Sequence, residues 1–256
     1  TTPWLTERHG YDPTSMENEK NYNDRREYFW VNNLDLSSFE KIKDSLFIKL
    51  INPETDPELL SKTPSKSFAD LYTICQVELS HPFPGMRAVI PVTHSLLKLW
   101  AIDFDTVYYY ALENTVKKHP PVLTPLENVI VNELSALAGD DPELEKELLL
   151  NPTNVYVLTN EEKLNGGAVI IYPGIPEMLC GIFPEGYYIL PSSVHELLIA
   201  PKEAGCNVQD LINLVRDVNR SIVSEQDFLS DNVYEYDPGT RQIIIAGNDN
   251  SETYSD

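Results

Sequence analysis

Apolar positions along the chain switch between helical spacing and short unbroken runs, and the switches mark the elements. Val208, Leu211, Ile212, Val215, Val218 and Ile222 recur at three- and four-residue intervals, which predicts a long amphipathic helix capped by Asn207. Phe39, Ile42 and Leu46 share a face in the same way, behind Ser37-Ser38-Phe39-Glu40, which has the form of a capping box. Further helices are predicted over residues 95–102, 105–118, 126–137 and 176–182. Asp56-Pro57-Glu58 and Asp141-Pro142-Glu143 each open another, because proline suits the first helical position. Apolar runs predict strands at 46–51, 71–79, 86–92, 155–159, 168–172, 187–190, 196–200, 233–236 and 242–245.

The breaks between these runs carry turn chemistry. His81-Pro82-Phe83-Pro84-Gly85, Asn165-Gly166-Gly167 and Asp237-Pro238-Gly239 each separate two strands, as hairpins require. Strand pairs joined by short turns and interrupted by helices favour an α+β fold, with mainly antiparallel sheets built from hairpins, over a doubly wound parallel sheet. The expected division is a polar arm at 1–33, an α+β half at 34–150, a second α+β half at 151–247, and a disordered acidic tail at 248–256. Both halves contain hairpin-then-helix units, a loose internal likeness short of a repeat.

Apolar residues make up 42% of the chain and charged residues 23%, enough for a sizeable core and too apolar for wholesale disorder. Acids outnumber bases 40 to 19, for a formal charge of −21. Such a field repels phosphate backbones and anionic bilayers, so direct nucleic-acid or membrane binding is not expected, while a basic protein is a compatible partner. No apolar run approaches the roughly 20 residues that cross a bilayer. Cys75, Cys180 and Cys206 are odd in number and widely spaced, which argues against a disulfide framework and for a reducing, cytoplasmic setting. No signal peptide is visible in residues 1–10, and Thr1 is not an initiator methionine, so sequence upstream is expected.

Three stretches in order resemble a known family: Asn154 to Asn160, Gly167 to Gly174, and Tyr188 to Glu196, the last containing Pro191-Ser192-Ser193-Val194-His195-Glu196. Lys41 to Asp44, Lys49 to Asn52, Ala111 to Thr115 and Leu229 to Tyr234 fit as well. The chain is thereby similar, over about residues 25–245, to a family of uncharacterised bacterial proteins (a domain of unknown function) common in gut Firmicutes. Residues 1–22 and the polar tail depart from it. That resemblance implies no activity to carry over.

Candidate chemistry concentrates in the same segment. Ser192, Ser193, His195 and Glu196 place two hydroxyls, an imidazole and a carboxylate within a few residues, the candidate catalytic set of a hydrolase; Tyr172 and Asn160 are candidate ligand-binding positions beside it. In extended chain Ser193 and His195 would sit about 7 Å apart, too far for the contact a nucleophile needs with its base. Neither serine lies in a G-x-S-x-G elbow. The competing expectation is a β-turn whose serines bind backbone amides, with His195 opening the next strand. His195-Glu196 lacks the second histidine of H-E-x-x-H, since Ile199 stands there, and His81, His94 and His119 share no ligand spacing. No metal or cofactor is implied. The leading functional expectation is therefore a non-enzymatic binding or regulatory protein. The alternatives are a hydrolase-like or small-ligand enzyme centred on residues 192–196, and an acidic nucleic-acid mimic that decoys a basic partner.

Overall fold

The computed structural model describes residues 36–79, 88–138, 141–150, 152–205 and 207–247. The expected arm at 1–33, the tail at 248–256, the turn at 81–85 and Cys206 lie outside the described residues.

In the first half α1 (Phe39–Ile42) passes through a 3-10 turn into β1 (Leu46–Ile51), followed by α2 (Pro57–Lys62), β2 (Ser65–Phe68), β3 (Leu71–Leu79) and β4 (Ala88–Pro91). Then come α3 (His94–Trp100), α4 (Phe104–Lys118), β5 (Pro121–Pro125), α5 (Leu126–Ala138) and α6 (Pro142–Leu150). The second half runs β6 (Tyr156–Asn160), a 3-10 helix (Gly166–Ile171), α7 (Ile175–Ile182), β7 (Tyr187–Ser193), β8 (Glu196–Pro201), α8 (Val208–Ser221), β9 (Tyr234–Asp237) and β10 (Gln242–Ile245).

The caps explain several boundaries. Asp56 accepts the Leu59 N–H at 2.8 Å, Asp103 the Thr106 N–H at 2.8 Å, and Asn207 the Gln209 N–H at 2.8 Å, each satisfying an orphan donor at a helix start. Ser38 sits at the N-cap of α1 but makes no side-chain capping bond, and Glu40 pairs with Lys43 at 2.7 Å instead of closing the expected box. With a single turn to cap, α1 has little to gain from it.

Two antiparallel sheets result, so the α+β expectation holds. In the first, β3 carries β1 on one side and pairs with both β2 and β4 along its length. The outer edge of β1 is closed by α4: Thr115 Oγ1 accepts the Ile48 N–H at 3.0 Å and donates to the Ala111 carbonyl. The second sheet has the order β10-β9-β7-β8-β6-β5. One apolar cluster contains Leu46, Ile48 and Leu50 of β1 together with Val169, Ile170, Leu179 and Ile199 of the second half. A smaller cluster holds α8 down through Leu211 and Val215 against Leu190 and Val233.

Three local expectations are corrected. Residues 168–172 form no strand; Gly166–Ile171 is a 3-10 helix. β6 pairs directly with β8, Tyr156 opposite Ile199, and the position beside β6 that residues 168–172 would need is filled. β5, by contrast, has no counterpart in the sequence reading. His119-Pro120-Pro121 reads as the stop of the preceding helix, yet Pro121 opens β5, an edge strand, where proline is tolerated. Finally Ile222 lies beyond the end of α8, 79% exposed, and Asn219 takes the inward position through bonds to Ser230 O and Asp231 Oδ1, both at 2.9 Å.

Burial makes the fold sensitive to alkali. It pushes the Cys75 thiol from 9.0 up to about 12 and the Tyr172 phenol from 10.0 up to about 12, and it raises Tyr187 and Tyr234 as well. These groups ionise more readily in the unfolded chain. Their contribution to stability is therefore complete below about pH 9 and is lost as pH rises toward 12. The melting temperature is expected to fall by roughly 5–10 °C from about pH 9 to 11, as read by circular dichroism. A flat profile over that window would contradict the burial of these groups.

Candidate functional site

The segment that held the candidate catalytic set is a tight hairpin. β7 extends through Ser193 with a register shift between Pro191 and Ser193, and the reversal is made by Val194 and His195, so His195 belongs to the turn and Glu196 opens the next strand. In this turn Ser193 Oγ accepts the His195 N–H at 3.0 Å, and Ser192 Oγ donates to Glu196 Oε1 at 3.3 Å. Neither hydroxyl faces the imidazole as a nucleophile would.

His195 is occupied on both nitrogens. Its Nδ1 accepts the Asn165 N–H at 3.1 Å, which assigns the ring proton to Nε2, and Nε2 faces Asp227 Oδ1 at 3.2 Å. Asp227 Oδ2 in turn accepts the Ser224 hydroxyl at 2.8 Å, and the Asp227 carbonyl accepts the Val194 N–H at 2.8 Å. The His195 carbonyl accepts the Thr159 hydroxyl at 2.8 Å. One residue thus ties together the end of β6, the 165–167 turn and the 224–227 turn. The imidazole, 34% exposed, keeps no lone pair for a general base.

The Asn165-Gly166-Gly167 sequence is explained by this tie. Asn165 adopts φ 53°, and Gly167 N–H donates to the Val194 carbonyl at 3.0 Å. A Cβ on Gly166 would lie 2.2 Å from Thr159 Oγ1 and 2.4 Å from the His195 carbonyl oxygen. Glycine is required here by close approach.

Tyr172 and Asn160 are brought near one another, but inside the protein, each 2% exposed. Tyr172 OH donates to the His119 carbonyl at 3.2 Å; Asn160 donates to the Leu164 carbonyl at 2.8 Å and accepts the Glu162 and Leu164 N–H groups. His119 Nδ1 lies 3.2 Å from Glu162 Oε2 without hydrogen-bond alignment. His94 opens α3, whose cap is Thr93, accepting the Leu96 N–H at 3.3 Å. Of Tyr108-Tyr109-Tyr110, only the middle residue is strongly exposed, the outer two packing on Phe104 and Phe39. Among the described residues no group of three or more His, Cys, Asp or Glu side chains could hold a metal ion.

Two groups escaped the sequence reading. Asp227 lies 32 positions from His195, and only the Ser224 turn hints at its role. Asp70 accepts Ser230 Oγ and Asn232 Nδ2 at 3.0 Å each and Tyr234 OH at 2.6 Å, tying the β2–β3 turn to the start of β9 across at least 160 positions. Near Asp227, burial lowers the Lys49 ammonium below its ordinary value, with Asp227 and Asp56 partly opposing the shift. A cavity of about 400 Å³ opens among Glu54, Thr55, Asn219, Arg220, Phe228 and Asp231; neither His195 nor either serine lines it.

What fold and site define together is a two-sheet antiparallel α+β protein whose 192–196 segment is hydrogen-bonded to neighbouring turns, with no helix among the described residues long and apolar enough to cross a membrane. A family model described as a family of unknown function, DUF5688, matches residues 10–238, and the chain belongs to that family. The match starts at residue 10, so residues 10–22, expected to depart from the family, fall within it, and it ends at 238, ahead of β10. No curated protein and no solved structure matches the chain.

Proposed function

We infer that the protein is a non-enzymatic binding or regulatory protein of a reducing, cytoplasmic compartment. The observation that carries this is the commitment of both His195 nitrogens, to Asn165 and Asp227, with Ser192 and Ser193 bonded within their own hairpin. A hydrolase built on residues 192–196 needs a free imidazole lone pair beside a hydroxyl, and this arrangement provides neither. Tyr172 and Asn160 serve the same internal bracing. Cys75 and Cys180 are unpaired thiols, which supports the reducing setting. The acidic-decoy alternative rests on the charge of −21 alone, because several acids already serve caps and turns.

The test is a screen with activated esters, amides and phosphate esters, run on wild type and on His195→Gln. No turnover above buffer is expected from either protein. Turnover by wild type that His195→Gln abolishes would reject the binding reading. The same variant is expected to lose about 1–2 kcal/mol of stability in a urea melt, since it removes the imidazole's bonds to the Asn165 N–H and to Asp227 while the backbone bonds of residue 195 to Thr159 and Ser193 remain.

A further inference from the structure

Among the described residues, the α5–α6 helix pair leaves four of its leucines uncovered. α6 packs chiefly on α5, and α5 leans on β5 and β6. Among the described residues of the pair, α6 buries no side chain and α5 buries only Glu127, whose carboxylate accepts the Thr153 N–H. Yet Leu134, Leu137, Leu149 and Leu150 are exposed, Leu137 by 86% and Leu150 by 68%. Ile130, Leu134 and Leu137 recur at helical spacing on one stripe of α5, the pattern of a helix that packs against something. Glu133, Glu143 and Glu145 stand exposed among these leucines, and Lys146 is the one base in residues 126–138 and 141–150.

We propose that the α5–α6 projection is the docking surface for a basic amphipathic helix of a partner protein. This deepens the binding reading above and rests on it. Charge decides among the occupants. A second copy would bring another chain of −21, with the same acidic rim, against this one. An anionic bilayer is repelled for the same reason. A helix with leucine-like residues on one side and lysine or arginine on the flanks meets both features together: its apolar ridge lies along the exposed leucines, and its cations face the glutamates.

The test uses the full chain and two 18-residue peptides of identical Leu/Lys composition, one amphipathic as a helix and one scrambled to remove the apolar face. Calorimetry is expected to show at least tenfold tighter binding of the amphipathic peptide, with NMR shifts confined to α5 and α6. Leu137→Ser/Leu150→Ser, which leaves charge unchanged and touches no core residue, is expected to erase the preference while the thermal melt is retained. Equal binding of the two peptides, or a preference that survives the double substitution, would overturn the proposal. So would a concentration-dependent dimer, seen by sedimentation, that the double substitution dissolves. These outcomes leave the broader binding reading standing, since that reading fails on His195-dependent turnover.

Discussion

Gly166→Ala lowers the melting temperature by roughly 10 °C and costs about 3 kcal/mol or more, the largest effect expected of an added methyl at any described glycine. The added Cβ would fall 2.2 Å from Thr159 Oγ1, 2.4 Å from His195 O and 2.9 Å from Asn160 N. Two of these neighbours are backbone atoms held in β6 and in the 194–195 turn, so no side-chain rotation relieves the overlap. Either the 3-10 helix at Gly166–Ile171 lifts off, exposing Val169 and Ile170, or the Thr159–His195 bond breaks. Gly181→Ala is the paired control. It lies inside α7 with nothing within 4 Å of the added carbon, and alanine there should stabilise by about 0.5–1 kcal/mol. Urea melts of the two variants check the opposite signs.

The second large effect is Asp70→Ala, expected to cost about 3 kcal/mol. The carboxylate accepts Ser230, Asn232 and Tyr234, and its removal leaves three donors without their acceptor, Tyr234 being 2% exposed. Tyr234→Phe alone should cost about 1–2 kcal/mol, because it removes one donor and leaves the carboxylate two others. In the double variant the costs should fall well short of additive, which a double-mutant cycle reads directly. Additive costs would mean that Tyr234 and Asp70 act independently. The neighbouring Ala69 holds φ 51°, so Ala69→Gly should recover a few tenths of a kcal/mol.

These same ties show where sequence was informative and where it was silent. The helices at 57–62, 94–100, 104–118 and 208–221 were legible because their caps lie within four residues of the bond they make, and spacing reports such local contacts. β3 and β1 were legible as mostly apolar runs, with residues 73–77 of β3 buried on both faces and Leu46, Ile48 and Leu50 buried on one face of β1. The run Ala168-Val169-Ile170-Ile171 has the composition of a strand, but its partner position was already occupied by β8, and only pairing across 40 positions reveals that. β5 was hidden because Pro121 read as punctuation when it was the mark of an edge. At residues 192–196 the polar side chains were legible and their partners were not. Nothing local announces that the imidazole will meet Asp227 or that Asn165 will approach it from the other side.

The central claim is that His195 is a fastening with no free lone pair, and the imidazole itself can be asked. Long-range proton–nitrogen correlation spectra at about pH 8, assigned through His195→Gln, report which ring nitrogen carries the proton. The account predicts the Nε2–H tautomer, with Nδ1 shifted as an acceptor from Asn165 and the pattern changed in Asp227→Asn. An Nδ1–H tautomer with a bare Nε2 would contradict it and return His195 to the bases a catalyst could use.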